Sequence, residues 1–179
     1  MCIREVVNLT AAKDYDEHYG NGNLERWGNR WSLPRASIAA SMLDPTHGNL
    51  LDVAGYKGVL KTLIPKGVSY TLIDMTNGVD LNKGIPYPES SFDYVVAIDI
   101  VGHVENSWKL LSNIKKVIKP NGLAVISIQK GEEHTRCSEN DISSLFEIIG
   151  KRGYIGGKFP FMCRVPFSMA SEIFYLVRG

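Results

Sequence analysis

Short apolar runs and stretches of helical spacing take turns along most of this chain. Asn49 to Ala54, Ser69 to Asp74, Phe92 to Asp99 and Leu123 to Ile128 are mostly apolar runs, the pattern of strands covered on both faces of a parallel sheet. Between them the spacing changes. Arg35 to Leu43 reads as a helix, with Ser32 as its cap and Pro34 in its first turn. Gly58 to Ile64 reads as a second helix, stopped by Pro65-Lys66-Gly67. Residues 105–119 carry a helical stripe of Trp108, Leu110, Leu111, Ile114 and Ile118. Ile142 to Lys151 is expected to be helical after a capping region at Ser138-Glu139-Asn140-Asp141. Met75 to Pro88, with Gly78, Gly84, Pro86 and Pro88, is irregular. Two more strands are expected at the end, around Tyr154, Ile155 and Phe159 and at Glu172 to Val177. Strand alternating with helix predicts an α/β fold, a doubly wound and mostly parallel sheet with helices on both faces.

Length and charge narrow the possibilities. A chain of 179 residues is expected to form one domain over 1–179, with residues 1–32, polar and aromatic, as an N-terminal arm or lid. It is long enough to bury a core without a disulfide or metal staple. The net charge of +1 gives no strong pull toward nucleic acid or an anionic membrane, so no obligatory nucleic-acid partner is expected. Cys2, Cys137 and Cys163 are scattered and form no C-x-x-C pair; His134 beside Cys137 is half a metal site at best, so no metal is expected. The N-terminus lacks the apolar core of a secretory signal, and no apolar window reaches membrane-spanning length. The expected setting is the cytoplasm, and a homodimer is left open.

The chemistry concentrates where strands end. The first strand runs into Asp52, then a loop holding Gly55 and Gly58; the second ends in Asp74. In an open α/β sheet, ligands sit beyond the carboxyl ends of the strands. Glycine lets the loop turn tightly against a ligand, and an acid after the next strand can accept hydrogen bonds from ribose hydroxyls.

The ordered series is more specific than either feature alone. Leu50-Leu51-Asp52-Val53-Ala54-Gly55-Tyr56-Lys57-Gly58 is followed by Asp74 and by Gly78-Val79-Asp80-Leu81-Asn82. Then come Ile85-Pro86-Tyr87-Pro88-Glu89-Ser90-Ser91-Phe92-Asp93-Tyr94-Val95-Val96, Gly102-His103-Val104 and Ile118-Lys119-Pro120-Asn121-Gly122-Leu123. From Asp52 to Ile128 the chain resembles the class I S-adenosylmethionine-dependent methyltransferases. The resemblance implies a Rossmann-like sheet of seven strands whose last strand runs antiparallel. The family loop most often reads acid-x-Gly-x-Gly-x-Gly; here the glycine places hold Ala54, Tyr56 and Gly58. Some sugar and natural-product O-methyltransferases of this class have a similar loop. A tyrosine forced to positive φ at the middle place would be strained by about 1–2 kcal/mol.

The resemblance implies S-adenosylmethionine as cofactor, held by Asp52, Ala54, Gly55, Gly58, Asp74, Met75, Asp80, Leu81 and Asp99. Asp52 would orient its amino-acid end, Gly55 and Gly58 would let backbone N–H groups face it, and Asp74 would accept from both ribose hydroxyls. Met75 would pack on the adenine, and Asp80 and Leu81 would meet its exocyclic amine. Asp99 would touch cofactor or substrate. Each also has a plain reading: a helix-capping or loop acid, a tight turn, a core methionine. His103 is the candidate catalytic base toward a hydroxyl acceptor, with a structural turn histidine as the alternative. Tyr15, Tyr19, Trp27 and Trp31 form either a lid or a satellite cluster anchoring the arm. Arg26, Arg30 and Arg35 read as a solvated helix face rather than an anion clamp.

The function expected is therefore methyl transfer to a small molecule, at oxygen, on a sugar or lipid-linked intermediate. The competing readings are a binding or regulatory protein that kept the fold, and a nicotinamide-dependent oxidoreductase. Asp52 counts against the second of these, since it would face a pyrophosphate.

Overall fold

A computed structural model of the chain describes residues 23–131, 137–155 and 165–179, with side chains from residue 32 onward. The apolar runs form a six-stranded sheet: β1 (Gly48–Val53), β2 (Val68–Ile73), β3 (Phe92–Ala97), β4 (Ile118–Gln129), β5 (Glu147–Tyr154) and β6 (Glu172–Arg178). Their order across the sheet is β2-β1-β3-β4-β6-β5. β1 pairs in parallel with β2 and β3, and β3 with β4; β6 runs antiparallel to both β4 and β5. The chain reverses its winding between β1 and β3, the switch point at which open sheets leave a crevice.

Alternation within each strand splits the core in two. Leu51, Val53, Val95, Ala97, Ala124 and Ile126 face α2 (Ser107–Val117) and α3 (Glu139–Leu145), where Leu110, Leu111, Ile114 and Ile142 pack. Leu50, Val96, Val125 and Phe174 face α1 (Asn23–Leu43), whose Ala36, Ala39 and Leu43 recur at helical spacing. Asn106 caps α2 by accepting from the Lys109 N–H at 2.9 Å. A capping box of Ser138 and Asp141 starts α3.

The doubly wound, mostly parallel sheet and its antiparallel last strand agree with expectation, and several details differ, among them the helix expected over Gly58 to Ile64, which is a short 3-10 helix at Val59–Leu63, and Ile118, which opens β4. The sheet has six strands rather than seven: residues 78–88, where a further edge strand would lie, stay in turns. Gly78 there has φ 86°, Gly84 has φ 133°, and Pro86 and Pro88 have no N–H to give a ladder. The helix expected at 142–151 ends at Leu145, and β5 takes over. Pairing with β6 wins because Gly150 and Gly153 are weak helix formers, and a Cβ on Gly153 would stand 2.7 Å from the Val165 carbonyl oxygen. The helix before β1 begins at Asn23, so Pro34 lies inside it rather than in its first turn, and residues 23–32, expected in the N-terminal arm, belong to this helix; residues 1–22 of that arm lie outside the described residues. Trp108, placed in the core stripe of α2, is 48% exposed.

Candidate active site

The polar residues at the carboxyl ends of the strands fall on the α1 face. Asp52 shares the face of Leu50, and Ser127 that of Val125. Glu172 opens β6 beside them. The loop after β1 is held by backbone bonds: the Ala54 N–H donates to the Ile73 carbonyl at 2.7 Å, and the Gly58 N–H to the Gly55 carbonyl at 2.8 Å. The Gly58 N–H is thus committed to the turn and does not face a ligand as expected. Ala54, Tyr56 and Gly58 all have positive φ, at 60°, 49° and 67°. All three glycine places of the family loop therefore adopt left-handed backbone, two of them without glycine. Gly55 is required for a different reason, because a Cβ there would stand 2.2 Å from Asp52 Oδ2 and 2.6 Å from Leu72 Cδ1.

Asp52 and Asp74 are both buried, at 4% and 3% exposure. The Tyr70 hydroxyl donates to Asp52 Oδ2. Burial pushes the Asp52 carboxyl up to about 6; the Tyr70 bond works against that, and the nearby Asp74 charge adds to it. Burial and the Asp52 charge together raise Tyr70. Asp74 caps the short 3-10 turn Met75–Asn77, accepting from the Thr76 N–H and hydroxyl at 2.9 Å each. Its other oxygen accepts from the Tyr56 N–H at 3.0 Å, tying the β1 loop to the tip of β2. Among the described residues, no Lys, Arg or His forms an ion pair with Asp52 or Asp74.

The remaining expected residues lie around this pair. Met75 follows directly, half-buried. Asp80 accepts from the Asn82 N–H at 3.0 Å, and Lys83 stands 3.6 Å from its other oxygen. Leu81 is buried in the core on the α2 side. Tyr15 and Tyr19 lie outside the described residues, as do the side chains of Trp27, Trp31, Arg26 and Arg30.

A second polar cluster, centred on Arg35, was not expected from the sequence. Arg35 was read as solvated, yet its side chain is only 16% exposed and joins two carboxylates. Its Nε donates to Glu172 Oε2 at 2.7 Å, and its Nη1 stands 3.1 Å from Asp99 Oδ2. Ser127 Oγ donates to Glu172 Oε1 at 2.6 Å and accepts from the Asp99 N–H at 2.9 Å. The Gln129 amide donates to Asp99 Oδ1, and His103 Nε2 lies 3.6 Å from the same oxygen. Burial works to lower Arg35, but the Asp99 and Glu172 charges outweigh it and hold the guanidinium above its usual value. Burial pushes Glu172 upward against the pull of Arg35. Asp99 itself has φ 57°, a strained conformation for a non-glycine residue. Glu172, Ser127 and Gln129 escaped the sequence reading because nothing in their spacing marks them; only the antiparallel return of β6 brings Glu172 beside Ser127.

A sheet wound about the β1/β3 switch point, with acids on successive strand tips and an antiparallel last strand, is the architecture of the Rossmann-like methyltransferases. The chain belongs to the methyltransferase-domain family, whose model matches residues 24–147. It is similar to a ubiquinone biosynthesis O-methyltransferase of Rickettsia conorii, 33% identical over 97 residues, 44% of this chain and 34% of the relative. A protein of the same name from Rickettsia canadensis is 32% identical, with 41% of its length matched. The match thus spans well under half the length of these curated relatives. In fold it is similar to the 1,6-didemethyltoxoflavin-N1-methyltransferase of Burkholderia thailandensis, solved with bound S-adenosylhomocysteine. That TM-score is 0.66 at 15% identity, covering 94% of this chain and 86% of the other. Among the described residues, no helix is long and apolar enough to cross a membrane, and no group of three His, Cys, Asp or Glu is placed to hold a metal.

Proposed function

We propose that the protein transfers a methyl group from S-adenosylmethionine to an oxygen of a small molecule. The observation that carries this reading is the pair of buried carboxylates, Asp52 and Asp74, with no cationic partner among the described residues. Burying like charges without compensation is costly unless a ligand supplies the missing cation. S-adenosylmethionine supplies a methyl group already activated on a positively charged sulfur, together with an ammonium group. The residues fit such a ligand. Asp52 attracts its charged amino-acid end, and Gly55 keeps the loop close against Asp52. Asp74, with three donors on a carboxylate offering about four acceptor positions, keeps room for a ribose hydroxyl. Met75, Leu81 and Asp80 flank the adenine, and Ala54 and Gly58 shape the turn.

Asp99 belongs to the acceptor side, through its contacts with Gln129 and His103. His103, on the turn after β3, takes the acceptor's hydroxyl proton on a ring nitrogen as the oxygen–methyl bond forms. The rest of the task is positioning and exclusion of water. The Rickettsia relatives, named for O-methylation, support oxygen as the acceptor atom. A sugar or lipid-linked molecule remains our reading of the acceptor, in a cytoplasmic setting.

Calorimetric titration with S-adenosylhomocysteine and S-adenosylmethionine tests this. Asp74→Ala is expected to weaken binding at least about ten-fold, since a charge-assisted hydrogen bond contributes roughly 1.5–3 kcal/mol. One observation favours a second reading, a non-catalytic binding protein: Asp74 is already well supplied with protein donors. Absence of heat and of any thermal shift at millimolar cofactor would select that reading instead.

A further inference from the structure

Asp99, Gly102, His103, Ser127 and Gln129 line a depression at the carboxyl edge of β3 and β4. We propose that it receives the reacting end of an uncharged or cationic acceptor rich in hydrogen-bond donors, and rejects phosphates and carboxylates. This rests on the methyltransferase reading above and adds to it the charge class of the acceptor.

The charges around the depression decide the point. Two carboxylates, Asp99 and Glu172, share one guanidinium, that of Arg35. Arg35 is therefore fully matched, and its side chain is only 16% exposed. Lys130, next to Gln129, turns its ammonium to the Phe167 carbonyl. His103 faces Asp99 rather than standing apart as an anion receptor. Among the described residues, no unmatched cation meets an incoming anion, while the Asp99 carboxylate, 29% exposed, does. Like charges brought together without compensation suppress the wrong partner strongly.

The hydrogen-bonding character agrees. Asp99 accepts from Gln129 on one oxygen and pairs with Arg35 through the other, which leaves acceptor capacity on its carboxylate. One N–H of the Gln129 amide goes to Asp99, which leaves its second N–H and its amide oxygen. Ser127 Oγ has its proton committed to Glu172. The wall therefore carries the Asp99 carboxylate and the Gln129 amide oxygen as acceptors against one Gln129 N–H as donor. A hydroxyl, phenol or amine complements it; a phosphate or carboxylate oxygen does not.

The test uses the full chain, first titrated with S-adenosylhomocysteine so that failure of cofactor binding is seen separately. Saturation-transfer NMR on the loaded protein then compares matched probes: glucose with glucose phosphate, and tyramine with hydroxyphenylacetate. Each uncharged or cationic probe is expected to bind at least about ten-fold more tightly than its anionic partner. Asp99→Asn, and Gln129→Lys through pairing of the new ammonium with Asp99, are each expected to shrink that ratio toward one, S-adenosylhomocysteine affinity being measured on each variant first. Equal or tighter binding of the anionic probes to the unmodified chain overturns the proposal. So does the absence of binding by all four at millimolar concentration while S-adenosylhomocysteine still binds.

Discussion

Replacing Asp52 by Asn should make the ligand-free protein more stable while weakening its hold on the cofactor. The Asp52 carboxyl is buried and titrates at about 6 when folded, against 3.8 for the free side chain. The difference, at 1.36 kcal/mol for each pH unit, amounts to about 3 kcal/mol. The sign follows from where the proton is held. Because the folded state binds it more tightly, this contribution is most favourable below about pH 4 and is lost as pH rises from about 4 to 6. At pH 7.5 the folded chain therefore holds a charged, desolvated carboxylate whose donor is the Tyr70 hydroxyl. Asn fits the same space and its amide oxygen still accepts from Tyr70. Urea unfolding without ligand, at pH 7.5, should show Asp52→Asn more stable by up to about 3 kcal/mol. The gap should narrow toward pH 4. Calorimetry on the same variant should show weaker S-adenosylmethionine binding, since the opposing charge is gone. An Asp52→Asn protein no more stable than its parent at pH 7.5, with the same dependence on pH, would refute the reasoning.

Two further outcomes test the packing around the site. Glu172→Ala leaves Arg35 paired with Asp99 as its remaining carboxylate but removes the charge-assisted bond to Glu172, and urea unfolding should register a loss of about 1.5–3 kcal/mol. The paired change Arg35→Met with Glu172→Leu should recover most of that, and a loss under about 1 kcal/mol from Glu172→Ala would show the pair to be dispensable. Gly55→Ala would push a methyl to 2.2 Å from Asp52 Oδ2, so it should destabilise by about 1–3 kcal/mol and reduce S-adenosylhomocysteine affinity in the same preparation.

Much of the site could be read locally. Asp52, Gly55 and Asp74 stand at or just past the ends of apolar runs, the edge where an open parallel sheet takes its ligands. The positive φ of Tyr56 agrees with the strain foreseen for a tyrosine at a glycine place. The helix assigned to residues 142–151 failed because residues 147–154 find a ladder on β6, a partner distant in sequence that local spacing does not reveal. Arg35 failed for a related reason. A helical arginine in series with Arg26 and Arg30 looks solvated until its helix is laid across the strand tips. Asp99 does follow the third strand tip, but its strained backbone and its bonds to Ser127 and Gln129 are long-range facts.

By itself the sequence determined the alternation of strands and helices, the two acids at the ends of consecutive strands and the class of fold. Those follow from periodicity and turn chemistry acting over a few residues. The tertiary structure decided which charges meet. Arg35, Asp99, Ser127 and Glu172 come from four separate elements, and only the antiparallel return of β6 beneath α1 closes their circuit. Electrostatic pairing depends on distance in space, and burial multiplies its effect, so it stays hidden until the sheet is assembled.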